Sequence, residues 1–205
     1  MAIEYRGCKR LVYAEVTKDD ASGYTTGAVK TLAPVQEIAK TVETSSAVHY
    51  YDNKGAVVID SEGADTVTFT IAIPSDAVLA EITGRTYDST KKAFIESKRK
   101  KKVFAVGYVL GEVGDDADDQ YVWRYKGSFN DPDVSAKTED DGTDASNMSL
   151  VFTGIYTEYE FANGEGTGNK GSSKAMKIRK SDNIATEDQW FAEVVTPDTT
   201  IVISG

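Results

Sequence analysis

Residues 66–71 alternate strictly, with Val67, Phe69 and Ile71 apolar and Thr66, Thr68 and Thr70 polar between them, and Ile73 continues the apolar face. Successive side chains on a strand point to opposite faces, so this period of two specifies a half-buried strand. A half-buried strand must lay its apolar face on another layer, which makes the fold layered and β-rich. The pattern recurs. Leu11 to Val16 reads as a first strand, closed by Lys18-Asp19-Asp20 and a Ser22-Gly23 turn. Tyr121, Trp123, Tyr125 and Phe129 alternate with Arg124, Lys126 and Ser128, which predicts a strand with one wet face. Phe104 to Leu110 is apolar on both faces and is expected to be central and covered on both sides. The short acidic link Asp115 to Gln120 makes these last two a hairpin. Ser149 to Phe161 is predicted as a further long strand.

Helical signals are few. Ser75 after Pro74 is an N-cap candidate, Val78, Leu79 and Ile82 form a stripe, and Gly84 stands where a helix ends, predicting a helix of about two turns. A second short helix is predicted after Thr186, which with Gln189 has capping-box spacing ahead of Trp190, Phe191, Val194 and Val195. Val35 to Val42 fits neither period cleanly. Glu43 to Ala64, around the aromatic knot His49-Tyr50-Tyr51-Asp52-Asn53, is expected to be a long loop, and Ala162 to Lys174, rich in Gly, Ser and Asn, a flexible one. No internal repeat or linker divides the chain, so residues 1–205 are read as one domain with an extension over about 183–205.

Composition narrows the function. The net charge of -10 argues against a protein that grips phosphates, and the charge is uneven: residues 1–110 balance at +1 and residues 111–205 at -11. Twenty aromatic residues, 11 of them Tyr, exclude a disordered acidic chain. A single Cys8 allows no internal disulfide, and neither a long apolar run nor a signal-peptide pattern is present, so synthesis in a cytosol without a membrane partner is expected.

Chemistry-bearing patterns are sparse. His49 is the only histidine, so any His-dependent nucleophilic apparatus must use it, and one His with one Cys cannot complete a common zinc site. Gly166-Thr167-Gly168-Asn169-Lys170-Gly171 matches G-x-G-x-x-G, but no amphipathic helix follows it, and a loop is expected. The acidic runs Asp115-Asp116-Ala117-Asp118-Asp119 and Glu139-Asp140-Asp141-Gly142-Thr143-Asp144 lack calcium-loop spacing. Nothing points to an enzyme, a cofactor or a metal. Lys98-Arg99-Lys100-Lys101-Lys102 is the one basic run; it reads as a solvated turn or as a contact for the acidic half of a neighbouring copy.

Four stretches resemble the major tail proteins of long-tailed, siphovirus-type bacteriophages, whose copies build the tail tube. They are Gly7-Cys8-Lys9-Arg10-Leu11-Val12-Tyr13-Ala14-Glu15-Val16-Thr17-Lys18-Asp19-Asp20; Tyr50-Tyr51-Asp52-Asn53; Thr68-Phe69-Thr70-Ile71 through Ile82-Thr83-Gly84 to Tyr87-Asp88; and Tyr121-Val122-Trp123-Arg124-Tyr125-Lys126-Gly127-Ser128-Phe129 with Asp131-Pro132 and Ala136-Lys137-Thr138. The likeness runs from about residue 7 to about 160. It implies a mainly β fold, an antiparallel β-sandwich able to form a barrel, with one flanking α-helix and a short C-terminal helix, and it tilts Val35 to Val42 toward strand. It also implies hexameric rings stacked into a tube in the virion tail, assembled in the host cytoplasm. The implied partners are other copies, a tape measure protein, a tail terminator and distal tail proteins, with double-stranded DNA passing unbound. On this reading His49, Tyr50, Tyr51, Asp52 and Lys98, Arg99, Lys100, Lys101 and Lys102 are candidate inter-subunit contacts. Asp115, Asp116, Asp118, Asp119, Glu158 and Glu160 are candidate acids of the lumen. A tube of a contractile injection or secretion device, and a monomeric carbohydrate-binding sandwich using exposed Tyr and Trp, are the alternatives.

Overall fold

The computed structural model describes residues 5–51, 54–112, 118–132 and 147–201. In chain order the elements are β1 (Tyr5–Asp20), β2 (Gly23–Thr26), β3 (Lys30–Ala33), β4 (Val35–Tyr51), β5 (Lys54–Ala72), α1 (Asp76–Thr83), β6 (Thr86–Asp88), β7 (Ala93–Ile95), β8 (Phe104–Glu112), β9 (Gln120–Phe129), β10 (Asn147–Gly154), β11 (Ala175–Arg179) and α2 (Glu187–Ala192). The protein is mainly β and antiparallel throughout, with two short helices.

The two layers of the sandwich are continuous. One antiparallel sheet runs β2-β1-β8-β9-β10-β5-β4, with β3 on β1 and β11 on β9, while β6 and β7 make a separate ribbon. The large sheet curls back on itself, because Phe69 on β5 packs edge-on against Tyr108 on β8, three strands away, at 5.7 Å between ring centres. Closure comes from the chain at Pro34. The segment before it, β3, pairs with β1, and the segment after it, β4, pairs with β5. Proline donates no hydrogen bond, so the change of partner falls where the ladder would be broken anyway.

Inside this curl lies the first core, built from Leu11, Tyr13, Leu32, Val67, Phe69, Ile71, Phe104, Val106, Leu150 and Phe152. Helix α1 closes it with Ile82, and Val78 and Leu79 pack beside it. Its C-terminus is held as predicted: Gly84 takes φ +71°, and Arg85 N–H returns to Ala80 O at 2.9 Å. Val67, Phe69 and Ile71 are fully buried, but Ile73 lies past the end of β5 and is 58% exposed.

The second core lies on the outer face of β1, β8 and β9, where Val12, Ala14, Ala105, Val109, Tyr121, Trp123 and Tyr125 are covered by Phe161, Ile178, Trp190, Phe191 and Val195. The cover is the chain after β10, not another sheet. It explains why β8 is apolar on both faces, as its sequence requires. Helix α2 carries the predicted capping box, with Gln189 N–H donating to Thr186 Oγ1 at 3.2 Å and Thr186 N–H to Gln189 Oε1 at 3.0 Å.

Four expectations are corrected. Residues 43–51 and 54–64 are not a loop but the outer part of the β4–β5 ladder, with Thr44 opposite Glu62 and Tyr51 opposite Lys54. The strand expected over 149–161 ends at Gly154, and Phe161 only bridges Gly171. Residues 162–174 form a closely hydrogen-bonded turn: Asp198 accepts from the N–H groups of Ala162 and Asn163 at 2.9 Å each, and Asn163 Oδ1 accepts from Gly168 N–H at 2.8 Å. Gly166 and Gly168 take positive φ there, so turn geometry accounts for the glycine spacing and a strand, β11, follows it. Finally, β9 has no wet face, since Arg124 and Lys126 are buried.

Candidate interaction surfaces

The β4–β5 ladder continues well past the core. Residues 41–46 on β4 and 61–63 on β5 are exposed without interruption, so both faces of the ribbon meet solvent there. His49, Tyr50 and Tyr51 lie on β4 toward the tip, opposite Val57, Gly55 and Lys54. Asp52 lies outside the described residues. The sequence signal was the aromatic knot, but its threonine- and serine-rich flanks conceal a strand pair because a ribbon wet on both faces shows no apolar alternation.

Lys98 to Lys102 form the connector from β7 to β8, and the five cations divide by role. Arg99 donates from Nε to Thr83 O at 2.8 Å and from Nη2 to Phe129 O at 2.9 Å, tying the last turn of α1 to the end of β9. Lys102 pairs with Glu15 at 2.8 Å. Lys98, Lys100 and Lys101 are exposed, with no ion pair among the described residues.

The acidic candidates fall into two separate groups. Asp118 accepts from Ser181 N–H at 2.7 Å and Ser181 Oγ at 2.6 Å, and these bonds hold its carboxyl below the ordinary aspartate value. Asp119 pairs with Lys9 at 2.8 Å. Glu158 pairs with Lys126 and Glu160 with Lys170, each at 2.9 Å. Lys126 also binds Asp19, so the second group sits near one end of β1 while Lys9 marks the other, on the order of 30 Å away at strand rise. With Arg179 3.5 Å from Asp118, each of these four acids carries a cation, which reduces the field that a count of carboxylates suggests. Asp115 and Asp116 lie outside the described residues.

A buried ionic cluster went unforeseen. Arg124 Nη1 meets Asp65 Oδ2 at 2.7 Å and its Nε donates to Tyr108 Oη at 3.1 Å. Lys40 reaches the same carboxylate at 2.9 Å and Lys174 at 3.4 Å, while Lys174 also binds Glu62 at 2.7 Å and lies 4.6 Å from the centre of the Tyr156 ring. Burial alone would raise the Asp65 pKa, but the hydrogen bonds from Lys40 and Arg124 outweigh it and hold the carboxyl below its ordinary 3.8. Burial likewise opposes the Lys174 charge, yet its bonds to Glu62 and Asp65 raise its pKa. The geometry follows from β9, which pairs with β11 over Gln120–Arg124 and with β10 over Gly127–Phe129. Arg124 stands at the fork.

Both tryptophans, Tyr121 and Tyr125 are buried, whereas Tyr156 is 45% exposed. Among the described residues no three His, Cys, Asp or Glu side chains gather as metal ligands, and no helix is long and apolar enough to cross a membrane. No protein-family model matches the chain, and no curated protein matches it significantly.

Proposed function

We propose that this protein is a self-assembling structural subunit, a tail-tube protein of a long-tailed bacteriophage, whose rings stack into a conduit for DNA. The observation that carries the reading is the β4–β5 arm, whose ladder runs on to Tyr51 and Lys54 past a stretch, residues 41–46 and 61–63, that is exposed on both faces. An isolated two-stranded ribbon is marginal in water, so an arm of this length gains by lying on another copy. Among the described residues β2 and β4 end the large sheet, each paired on one side, and this supports the same reading, since unpaired edges invite strand addition that closed rings satisfy. In this assembly the excess acid keeps a passing duplex off the wall over a Debye length of about 8 Å. The exposed lysines of the β7–β8 connector face away from the lumen. Tape measure, terminator and distal tail proteins set the length and ends of the tube.

Negative-stain microscopy of the purified protein tests the reading directly, with stacked rings expected. A variant in which Asn-Gly joins Thr44 to Glu62 in place of residues 45–61 removes the arm and keeps every described member of both cores. It is expected to stay folded and to form no tubes. A wild-type protein that remains monomeric at every concentration refutes the proposal.

A further inference from the structure

Beside the Asp65 cluster an open groove of about 330 Å³ runs between β4 on one side and β9 and β11 on the other. Its floor is apolar, from Ile38, Leu110 and Val122, and its rim is basic, from Lys40 and Lys177. No carboxylate lines it among the described residues. Lys177 is exposed and, among those residues, has no ion pair. It sits opposite Val122 in the β9–β11 ladder, so both share the face that looks onto the groove.

The local charge does not balance. Among the described residues Lys40, Arg124, Lys174 and Lys177 pair only with Asp65 and Glu62, leaving two positive charges unmatched there in a chain whose net charge is -10. Lys40 already turns to Asp65, and Arg124 gives Nη1 to Asp65 and Nε to Tyr108, so a small inorganic anion finds no ring of free donors. A peptide that lays apolar side chains on Ile38, Leu110 and Val122 and brings a carboxylate to Lys177 satisfies floor and rim together, with the net positive charge of the cluster adding attraction. The chain's own excess acid supplies the complementary charge.

We propose that this groove docks an acidic segment of a second copy of the chain. The proposal deepens the self-assembly reading and rests on it. Carbodiimide coupling joins a lysine amine directly to a carboxylate in contact with it, and suits an equimolar mixture of unlabelled and nitrogen-15-labelled protein under assembly conditions. Mass spectrometry is expected to find Lys177 joined to an Asp or Glu peptide in mixed-isotope pairs. Lys177→Glu is expected to raise the concentration needed for assembly by about tenfold at low salt, and Lys177→Gln by less. Both variants keep the wild-type melting temperature, because Lys177 makes no described intramolecular ion pair.

If wild-type tubes form but Lys177 joins only carboxylates of its own chain, or none, and Lys177→Glu assembles normally, the groove proposal falls and the tube reading stands. Mixed-isotope links in a protein that forms no tubes uphold the groove and remove the tube. A labelled DNA duplex retarded by the wild type and released by Lys177→Glu overturns the groove proposal in favour of phosphate binding.

Discussion

Replacing Asp65 with Asn tests whether the buried cluster holds the sheet together where β9 forks. The side chain keeps its shape and loses its charge. Arg124, 5% exposed, then has only the Tyr108 hydroxyl and one amide oxygen as partners, and the ammonium groups of Lys40 and Lys174 remain nearby. For charges about 4 Å apart at an effective dielectric of 20, the lost attraction to Arg124 is about 4 kcal/mol. Lys40, whose side chain is 42% exposed, adds no more than about 1 kcal/mol, and a retained hydrogen bond to Asn returns about as much. The expected loss is therefore about 3–5 kcal/mol, the range found when one partner of a buried pair is removed.

Urea denaturation at pH 7, followed by tryptophan fluorescence and circular dichroism below the assembly concentration, measures it. With a slope of about 2 kcal/mol per molar, the midpoint falls by about 1.5–2.5 M while the slope itself is unchanged. The double variant Asp65→Asn, Arg124→Met recovers most of the loss, since an apolar replacement leaves no charge stranded. Acid titration gives an independent check on the sign. Because the folded-state pKa of Asp65 lies below its ordinary 3.8, its contribution is complete above that value and disappears as the pH falls through the folded value. The acid-induced loss of stability below about pH 4 is thus shallower in Asp65→Asn than in the wild type. A single variant within about 1 kcal/mol of wild type, or a double variant no more stable than the single, refutes the reasoning.

Two other substitutions probe the layers on either side of the sheet. A Cβ at Gly107 meets Phe191 Cε1 and Trp123 Cζ3 at 2.9 Å each, so Gly107→Ala is expected to cost about 1–3 kcal/mol by overpacking the outer core; both tryptophans lie in that layer, and their fluorescence reports its loosening. At the end of α1, Gly84→Ala places a side chain at φ +71° and against Lys100 O, and a loss of at least about 1–2 kcal/mol in chemical denaturation is expected.

Legibility followed the solvent. Where one face was dry and the other wet, as over Val67, Phe69 and Ile71, the period of two gave the strand and its buried side directly from sequence. Where both faces were dry, as in β8, a continuous apolar run still marked a central strand. The pattern failed at the two other combinations. Both faces of the β4–β5 ribbon are wet over residues 41–46 and 61–63, so nothing apolar alternates there and a strand pair reads as a loop. On β9 both faces are dry but one carries cations, so Arg124 and Lys126 read as solvent-facing. The partner that makes Arg124 tolerable, Asp65, is 59 residues away on another strand, and no local window contains both. Long-range ion pairing of this kind is set by topology, and topology is what a local period does not encode. Hence Asp118, Asp119, Glu158 and Glu160, singled out by sequence, proved to be paired surface groups, whereas the carboxylate gathering the most cations among the described residues, Asp65, is a single residue in a threonine-rich strand. A buried charge is costly unless matched, so where a strand next to a central one carries a lone Arg between aromatics, its counter-charge belongs on a strand that folds over it. That rule points from Arg124 toward β5, the strand whose other inward residues already fill the core.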